Sequence, residues 1–166
     1  NLMEPLNPSM QEASELKSRL ESLLRTQQLG VLSTQNKGRP YASLVAFAAT
    51  ADSKYLFFAT TRSSRKYANI ESDSRVAMLI DNRTNQMVDF HSAMAVTATG
   101  KAEEVAKSER TLHVDLFLGK PPHLKDFVMA PSCALFRINI DTYYLAHRFQ
   151  KVLEFHLKNE SDPSDL

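Results

Sequence analysis

The side chains best suited to bind an anion lie together in the segment Thr60–Lys66, which reads Thr-Thr-Arg-Ser-Ser-Arg-Lys. Ser64 is a typical helix N-cap, so unpaired backbone N–H groups are expected beside it. A helix start contributes about 0.3–1 kcal/mol toward binding a negative group, whereas a hydrogen bond to a charged group contributes about 1.5–3 kcal/mol. The pattern suits an anion site in which Arg65 and Lys66 contribute more than the helix dipole, with hydroxyl groups beside them.

The same local pattern also occurs where no ligand binds. A serine followed by basic residues is common at the start of a surface helix, where the serine only caps the helix and the charges are solvated. The segment by itself leaves both interpretations open, so the rest of the chain has to decide between them.

Hydrophobic periodicity places this segment between a strand and a helix. Tyr55–Thr60 is predicted as a strand, and Ser64–Ser72 as a short helix. Ser9 and Glu12 form a capping-box pair, which predicts an amphipathic helix over 9–28. The other predicted strands are 29–34, 41–50, 75–81, 93–105 and 132–145, and the other predicted helical segments are 104–118 and 123–129.

The order of these elements predicts the fold class. Short turns join the first three strands, which leaves no room for the helices of a doubly wound parallel sheet. Five or six antiparallel strands predict a closed or nearly closed barrel, because closure removes exposed strand edges. We therefore expect a mainly β protein with flanking helices (α+β). It would be one domain over 1–166, with an N-terminal helix at 9–28, a barrel at 29–150 and a C-terminal tail at 151–166.

Composition narrows the class of partner. Twenty basic and nineteen acidic residues give a formal net charge of +1, so no global field favours nucleic acid or an anionic membrane. No apolar run approaches the roughly 20 residues needed to cross a bilayer. Cys133 is the only cysteine and cannot form a disulfide within the chain. A cytoplasmic protein without nucleic-acid or membrane partners is the expectation.

Five short motifs follow one another along the chain: Arg39–Phe47 (RPYASLVAF), Leu56–Thr60 (LFFAT), Ser64–Lys66 (SRK), Arg75–Leu79 (RVAML) and Val96–Glu103 (VTATGKAE). Their order and content resemble the pyridoxamine 5'-phosphate oxidase-like flavin proteins, over about residues 14–150. The resemblance implies a split β-barrel of antiparallel Greek-key type. It also favours a phosphate site at the start of the second helix over a simple surface cap.

The resemblance further implies a homodimer with two FMN molecules in clefts between the subunits. The residues carried over to the FMN phosphate are Ala59, Thr60, Ser64, Arg65 and Lys66. The residues whose backbone groups would line the isoalloxazine ring are Ser43, Leu44, Val45 and Ala46. Asn82 and Asn85, just past the fourth strand, lie in a segment that approaches the cofactor in related small flavin proteins.

Three departures from the authentic oxidase bear on the substrate. Ser43 stands where the oxidase has an arginine that opens its ring-binding segment, and Ala95 aligns with a glutamine. The oxidase ends in an Arg-Leu-His-Asp-Arg substrate motif, to which Leu145–Arg148 (LAHR) is a poor match. Pyridoxamine phosphate is therefore not the expected substrate.

Histidines offer no separate catalytic or metal site. None of the five histidines pairs at a three- or four-residue helical step, and no His/Cys cluster has zinc spacing. His147 lies near a C-terminal strand end that could meet the cleft. Heme-degrading relatives of this fold use C-terminal histidines, although the chain carries no specific motif of that kind.

The leading hypothesis is an FMN-dependent oxidoreductase that acts on an unidentified small molecule. The flavin carries the redox centre, so the protein need supply only orientation, ring donors and a dry pocket. The alternatives are a flavin-binding carrier or sensor without turnover, and a relative that handles a deazaflavin or heme. An oligonucleotide-binding barrel is disfavoured by the near-zero net charge.

Overall fold

The computed structural model describes residues 9–117, 120, 122–148 and 151–157. The helices are α1 (Met10–Thr26), α2 (Arg65–Ser72), α3 (Asp89–Ser92), α4 (Arg110–His113) and α5 (Pro122–Met129). The strands are β1 (Leu29–Asn36), β2 (Arg39–Ala49), β3 (Tyr55–Thr61), β4 (Arg75–Asp81), β5 (Met94–Glu104), β6 (Cys133–His147) and β7 (Lys151–His156). Two short 3-10 turns, Lys107–Glu109 and Val114–Phe117, flank α4.

The strands form an antiparallel sheet in the order β3-β2-β1-β4-β5-β6-β7, and pairing of β3 with β6 closes six of them into a barrel. The β1–β2 hairpin turns through Lys37 and Gly38, which both have positive φ, as a two-residue hairpin requires. β4 returns beside β1 after the β1–β2–β3 meander, which is Greek-key order. The predicted split β-barrel, with flanking helices, is confirmed.

β6 is long enough to pair with three other strands. Its 15 residues pair with β5 along most of their length, while the other edge pairs first with β3 and then with β7. A bulge at Thr99/Gly100 shifts the β5–β6 register. A Cβ on Gly100 would lie 2.0 Å from the carbonyl oxygen of Asn139, so only glycine fits there.

The main core fills the barrel, and a smaller one lies outside it. Alternate residues of the strands point inward, as in β4, where Val76, Met78 and Ile80 are buried. The leucines of α1 that cover one end of the barrel core are Leu16, Leu20, Leu23 and Leu24. The outer cluster packs the 105–128 region against β2, β3 and β6, and its buried members are Ala48, Phe57, Val105, Phe117, Val128 and Leu135.

Two local predictions were wrong. The single helix expected over 104–118 is replaced by three short helical turns between Lys107 and Phe117, and residue 118 lies outside the described residues. The stretch expected to be a C-terminal tail contains β7, which pairs with β6 because Leu153 and Phe155 pack on the barrel core. Residues 1–8 and 158–166 lie outside the described residues. None of the described helices is long and apolar enough to span a membrane.

Candidate cofactor-binding site

A cleft opens where β2 and β3 separate. The two strands pair only from Phe47–Phe58 to Ala49–Leu56. Beyond Phe47, β2 pairs with β1 alone, and beyond Phe58, β3 pairs with β6 alone. The resulting cleft has a volume of about 310 Å³ and is lined by Leu44, Val45, Ala46, Ala59, Thr60, Thr61, Lys66, Phe117, Leu124, Phe127 and Val128.

The β2 side of the cleft is an open strand edge. The backbone N–H of Phe47 donates to the carbonyl oxygen of Gln28 at 3.4 Å, so the backbone polar groups of Phe47 point toward the β1 side, away from the cleft. Backbone groups of successive residues alternate in direction, so Leu44 and Ala46 point theirs toward the β3 side, where the ladder has ended. This edge offers N–H donors and C=O acceptors in a row, which suits a planar heterocycle with polar edges.

The start of α2 lies at the other end of the cleft. Ser64 caps the helix, because its Oγ accepts from the N–H of Tyr67 at 3.2 Å, and Thr60 Oγ1 lies 2.8 Å from the same oxygen. Lys66 is half-buried and lines the cleft, whereas Arg65 is exposed, with its guanidinium 5.6 Å from the ring centre of Tyr41. The hydroxyls of Thr60 and Ser64, the N–H groups of the first turn and two cations thus lie at or beside the start of α2, but of these residues only Thr60 and Lys66 line the cleft.

Arg62 does not add to this positive charge. Its guanidinium donates to the carboxylate of Glu104 at 2.6 Å and to the hydroxyl of Tyr67 at 3.2 Å. The hydrogen bond to Glu104 raises the pKa of Arg62. Within the described residues no carboxylate pairs with Arg65 or Lys66. These two side chains therefore keep their positive charge without an ion pair inside the described chain, and their contact with an anion stays a prediction.

Comparison with known proteins identifies the family of the chain. Residues 16–146 match the pyridoxamine 5'-phosphate oxidase family. The chain belongs to this family. No curated protein gives a significant sequence match.

Several solved structures share the family's split barrel. General Stress Protein 26 from Bacillus anthracis str. Sterne is 25% identical, with a TM-score of 0.66, over 86% of this chain and 99% of that one. A FAD-binding protein from Mesorhizobium loti is 18% identical, with a TM-score of 0.63, over 78% and 90%. The heme storage protein HutZ from Vibrio cholerae is 15% identical, with a TM-score of 0.64, over 80% and 94%. The shared fold thus occurs in proteins named for flavin and for heme.

The opposite wall of the cleft was missed at the sequence level. Phe117 and three residues of α5, Leu124, Phe127 and Val128, face the β2 edge across the opening. The spacing of the α5 residues marks one helical face, which was a usable signal for a buried surface. Nothing in that spacing told an apolar cleft wall from ordinary core.

The cofactor-binding residues predicted from the family resemblance divide into those that line the cleft and those that do not. Leu44, Val45 and Ala46 line the cleft, and so do Ala59, Thr60 and Lys66. Ser43 is not among the lining residues. The side chain of Ser43 points to the same face of β2 as that of Val45, toward the barrel interior. Its Oγ is buried and has no hydrogen-bond partner within the described residues.

Asn82 and Asn85 lie away from this cleft in the single chain. The Oδ1 of Asn82 accepts from the N–H of Met94 at 2.8 Å, and Asn82 lines a separate polar cavity of about 250 Å³ beside α1. Asn85 has φ 59° and donates its N–H to Asp89 at 2.7 Å. Both residues shape the β4–β5 connection, and their contact with a cofactor stays a prediction.

Potential metal ligands were sought among the residues that the structure describes. Within the described part of the chain, no group of three or more His, Cys, Asp or Glu side chains could hold a metal ion. His147 ends β6, opposite Met94 and Lys151 in the strand pairing, and is not among the lining residues.

Proposed function

We propose that the chain is an FMN-binding oxidoreductase that holds its flavin in the cleft between β2, β3 and α5. The observation that carries this proposal is the continuity of two surfaces in one cleft: an open strand edge at Leu44–Ala46 and, through Thr60 and Lys66, the start of α2. A flavin has a ring with polar edges and a phosphate dianion joined by a short chain, so it needs both surfaces at once.

The phosphate would bind at the start of α2. Lys66 and Arg65 supply charge, while Thr60 and Ser64 supply hydroxyl groups. Charge-assisted hydrogen bonds of about 1.5–3 kcal/mol outweigh the 0.3–1 kcal/mol of the helix dipole, so the cations should decide the affinity for the phosphate.

The ring would lie along β2. The backbone groups of Leu44 and Ala46 would bind its polar edge, and the apolar side chains of Phe117 and Phe127 would exclude water from its face. When bound, the flavin supplies hydride or electron transfer at its ring, and the protein contributes orientation and electrostatics. A catalytic side chain is therefore not required by the proposal.

A homodimer is part of the same proposal. Leu44 lies on the rim of the cleft with 65% of its surface exposed, and Leu29 on the neighbouring strand is 50% exposed. An isologous contact that covered such residues would also close the cleft from solvent. Contact of Asn82 and Asn85 with the flavin would require this second copy, since neither residue lines the cleft of its own chain.

The substrate is proposed to be a small molecule other than pyridoxamine phosphate. Ser43 and Ala95 replace two polar ring contacts of the authentic oxidase, and its C-terminal substrate motif has no good counterpart. A cytoplasmic location is also proposed. It is supported by Cys133, a buried free thiol that suits a reducing compartment.

The test is direct identification of the bound cofactor. Purified protein should be yellow, and FMN titration should quench flavin fluorescence with a saturable 1:1 isotherm per chain. Mass spectrometry of the released cofactor separates FMN from a deazaflavin. A colourless protein that leaves FMN fluorescence unchanged would refute the proposal.

Two alternatives give different results in the same preparation. A heme-handling protein would bind added hemin with an intense Soret band, and HutZ is the relative that suggests this reading. A flavin carrier without turnover would bind FMN but show no substrate-dependent reoxidation in stopped-flow mixing.

A further inference from the structure

Arg110, the first residue of α4, is a buried cation that the proposed function does not use. Only 3% of its surface is exposed. Its Nη1 donates to the carbonyl oxygens of Val128 at 3.4 Å and Ala130 at 3.2 Å, and its Nη2 donates to the carbonyl oxygen of Cys133. Within the described residues no carboxylate pairs with it. A buried charge is costly, so this arrangement requires an explanation.

The acceptors show what the guanidinium holds together. Val128 is in the last turn of α5, Ala130 directly follows that helix, and Cys133 begins β6. Carbonyl groups at a helix C-terminus lack intrahelical partners and carry partial negative charge. Arg110 therefore satisfies the end of α5 and ties it to the barrel.

The same end of α5 forms the cleft wall. The side chain of Val128 is 1% exposed, packs in the outer cluster and lines the cleft, while its carbonyl accepts from Arg110. Phe127, the preceding residue, lines the cleft as well. Movement of this helix end would change the surface that faces the β2 edge.

We propose that Arg110 is a positioning residue that fixes α5 as the wall of the flavin cleft. The proposal rests on the proposed function for the identity of the ligand. The α5 residues line the part of the cleft proposed for the flavin ring, whereas Lys66 lies at the end proposed for the phosphate. FMN and riboflavin share the ring and differ in the phosphate. Loss of Arg110 should therefore weaken the binding of both ligands by the same factor.

Only a guanidinium can make this contact set. Its planar fork presents two terminal nitrogens that together reach three carbonyls, whereas an ammonium is a single compact donor group. Arg110→Lys should therefore keep the charge but lose part of the contact. Arg110→Met keeps a long side chain and removes every donor.

The experiment combines ligand titration with hydrogen exchange of the full chain. In Arg110→Met, exchange in peptides covering 122–129 should accelerate by about tenfold or more while the strands keep their protection, because opening is local. FMN and riboflavin should both bind about tenfold more weakly, a change of about 1.4 kcal/mol in binding free energy. Arg137→Met is the matched control, since Arg137 makes a part-exposed ion pair with Glu103 on the barrel wall.

Unchanged exchange in α5, or unchanged affinity for both flavins, in Arg110→Met would overturn the proposal. If that variant loses protection throughout the chain, Arg110→Lys decides: loss confined to α5 supports the proposal, and global loss overturns it. If wild-type protein binds neither flavin, the proposed function is refuted, and α5 is then not the wall of a flavin cleft. The exchange pattern then decides by itself whether Arg110 positions α5.

Discussion

Removal of the Lys66 ammonium tests whether the phosphate and the ring of the flavin bind at different ends of the cleft. Lys66 lines the cleft two residues after the N-cap Ser64, and no carboxylate of the described chain neutralises it. Riboflavin has the same ring as FMN but no phosphate. We therefore expect Lys66→Ala to weaken FMN binding and to leave riboflavin binding unchanged.

The magnitude follows from the contact that is lost. A hydrogen bond to a charged partner is worth about 1.5–3 kcal/mol, and each 1.4 kcal/mol is a factor of ten, so FMN should bind roughly 10- to 150-fold more weakly. Arg65 is more exposed and lies over Tyr41, so Arg65→Ala should cost about 1 kcal/mol or less because solvent screens it. The double substitution should cost roughly 2–4 kcal/mol.

The assay is fluorescence quenching with FMN and riboflavin on the same protein preparations. Lys17→Ala is the matched control, since Lys17 is an exposed lysine of α1 that lines neither cavity. Raising the ionic strength should weaken FMN binding to wild type more than binding to Lys66→Ala, because salt screens the exposed part of the interaction.

Two results would contradict this placement of the phosphate. The first is equal weakening of FMN and riboflavin, which would mean that Lys66 supports the cleft as a whole. The second is an unchanged FMN affinity in the double variant, which would move the phosphate away from α2 altogether.

Three further predictions concern the frame around the cleft. Gly100→Ala should destabilise the fold by roughly 4 kcal/mol or more in denaturant unfolding, because the new Cβ would overlap the Asn139 carbonyl; a near-native midpoint would exclude that close approach. Ser64→Ala should lower the free energy of unfolding by about 1 kcal/mol through loss of the α2 cap, and no change would show the cap to be dispensable. Burial, with a smaller contribution from Asp52, raises the pKa of Tyr143 above its ordinary 10.0, so stability should be complete below pH 10 and fall as the pH rises beyond it. Tyr143→Phe should lose this alkaline dependence, and an identical dependence in both proteins would assign it to another group.

The elements that form the proposed phosphate site were predictable because their signals are local. Ser64 in front of two basic residues defines a cap and a charge cluster within one turn, and the structure keeps all of them at the start of α2. Strand alternation likewise placed Leu44–Ala46 on a strand. These features depend on neighbours in sequence, which periodicity and capping rules describe well.

The cleft wall was not predictable in the same way. Residues 104–118 were expected to form one helix, yet three short helical turns between Lys107 and Phe117 take its place. The burial of Arg110 depends on carbonyl groups 18 to 23 residues away in the chain. Such long-range contacts leave no trace in local spacing, so tertiary structure overrides the local preference.

The closure of the barrel explains why the ligand surface lies where it does. β6 pairs with β3 on one edge and β5 on the other, which closes the barrel without needing β2 and β3 to pair along their whole length. The unpaired edge that this leaves at Leu44–Ala46 is the kind that promotes aggregation when it is long and exposed. Here it is short, and α5 faces it across the cleft. A bound flavin would supply the missing partner for those backbone groups, so ligand binding should stabilise the β2–β3 end of the barrel more than the β4–β5 end. Hydrogen exchange with and without FMN can measure that difference, and equal protection at both ends would contradict it.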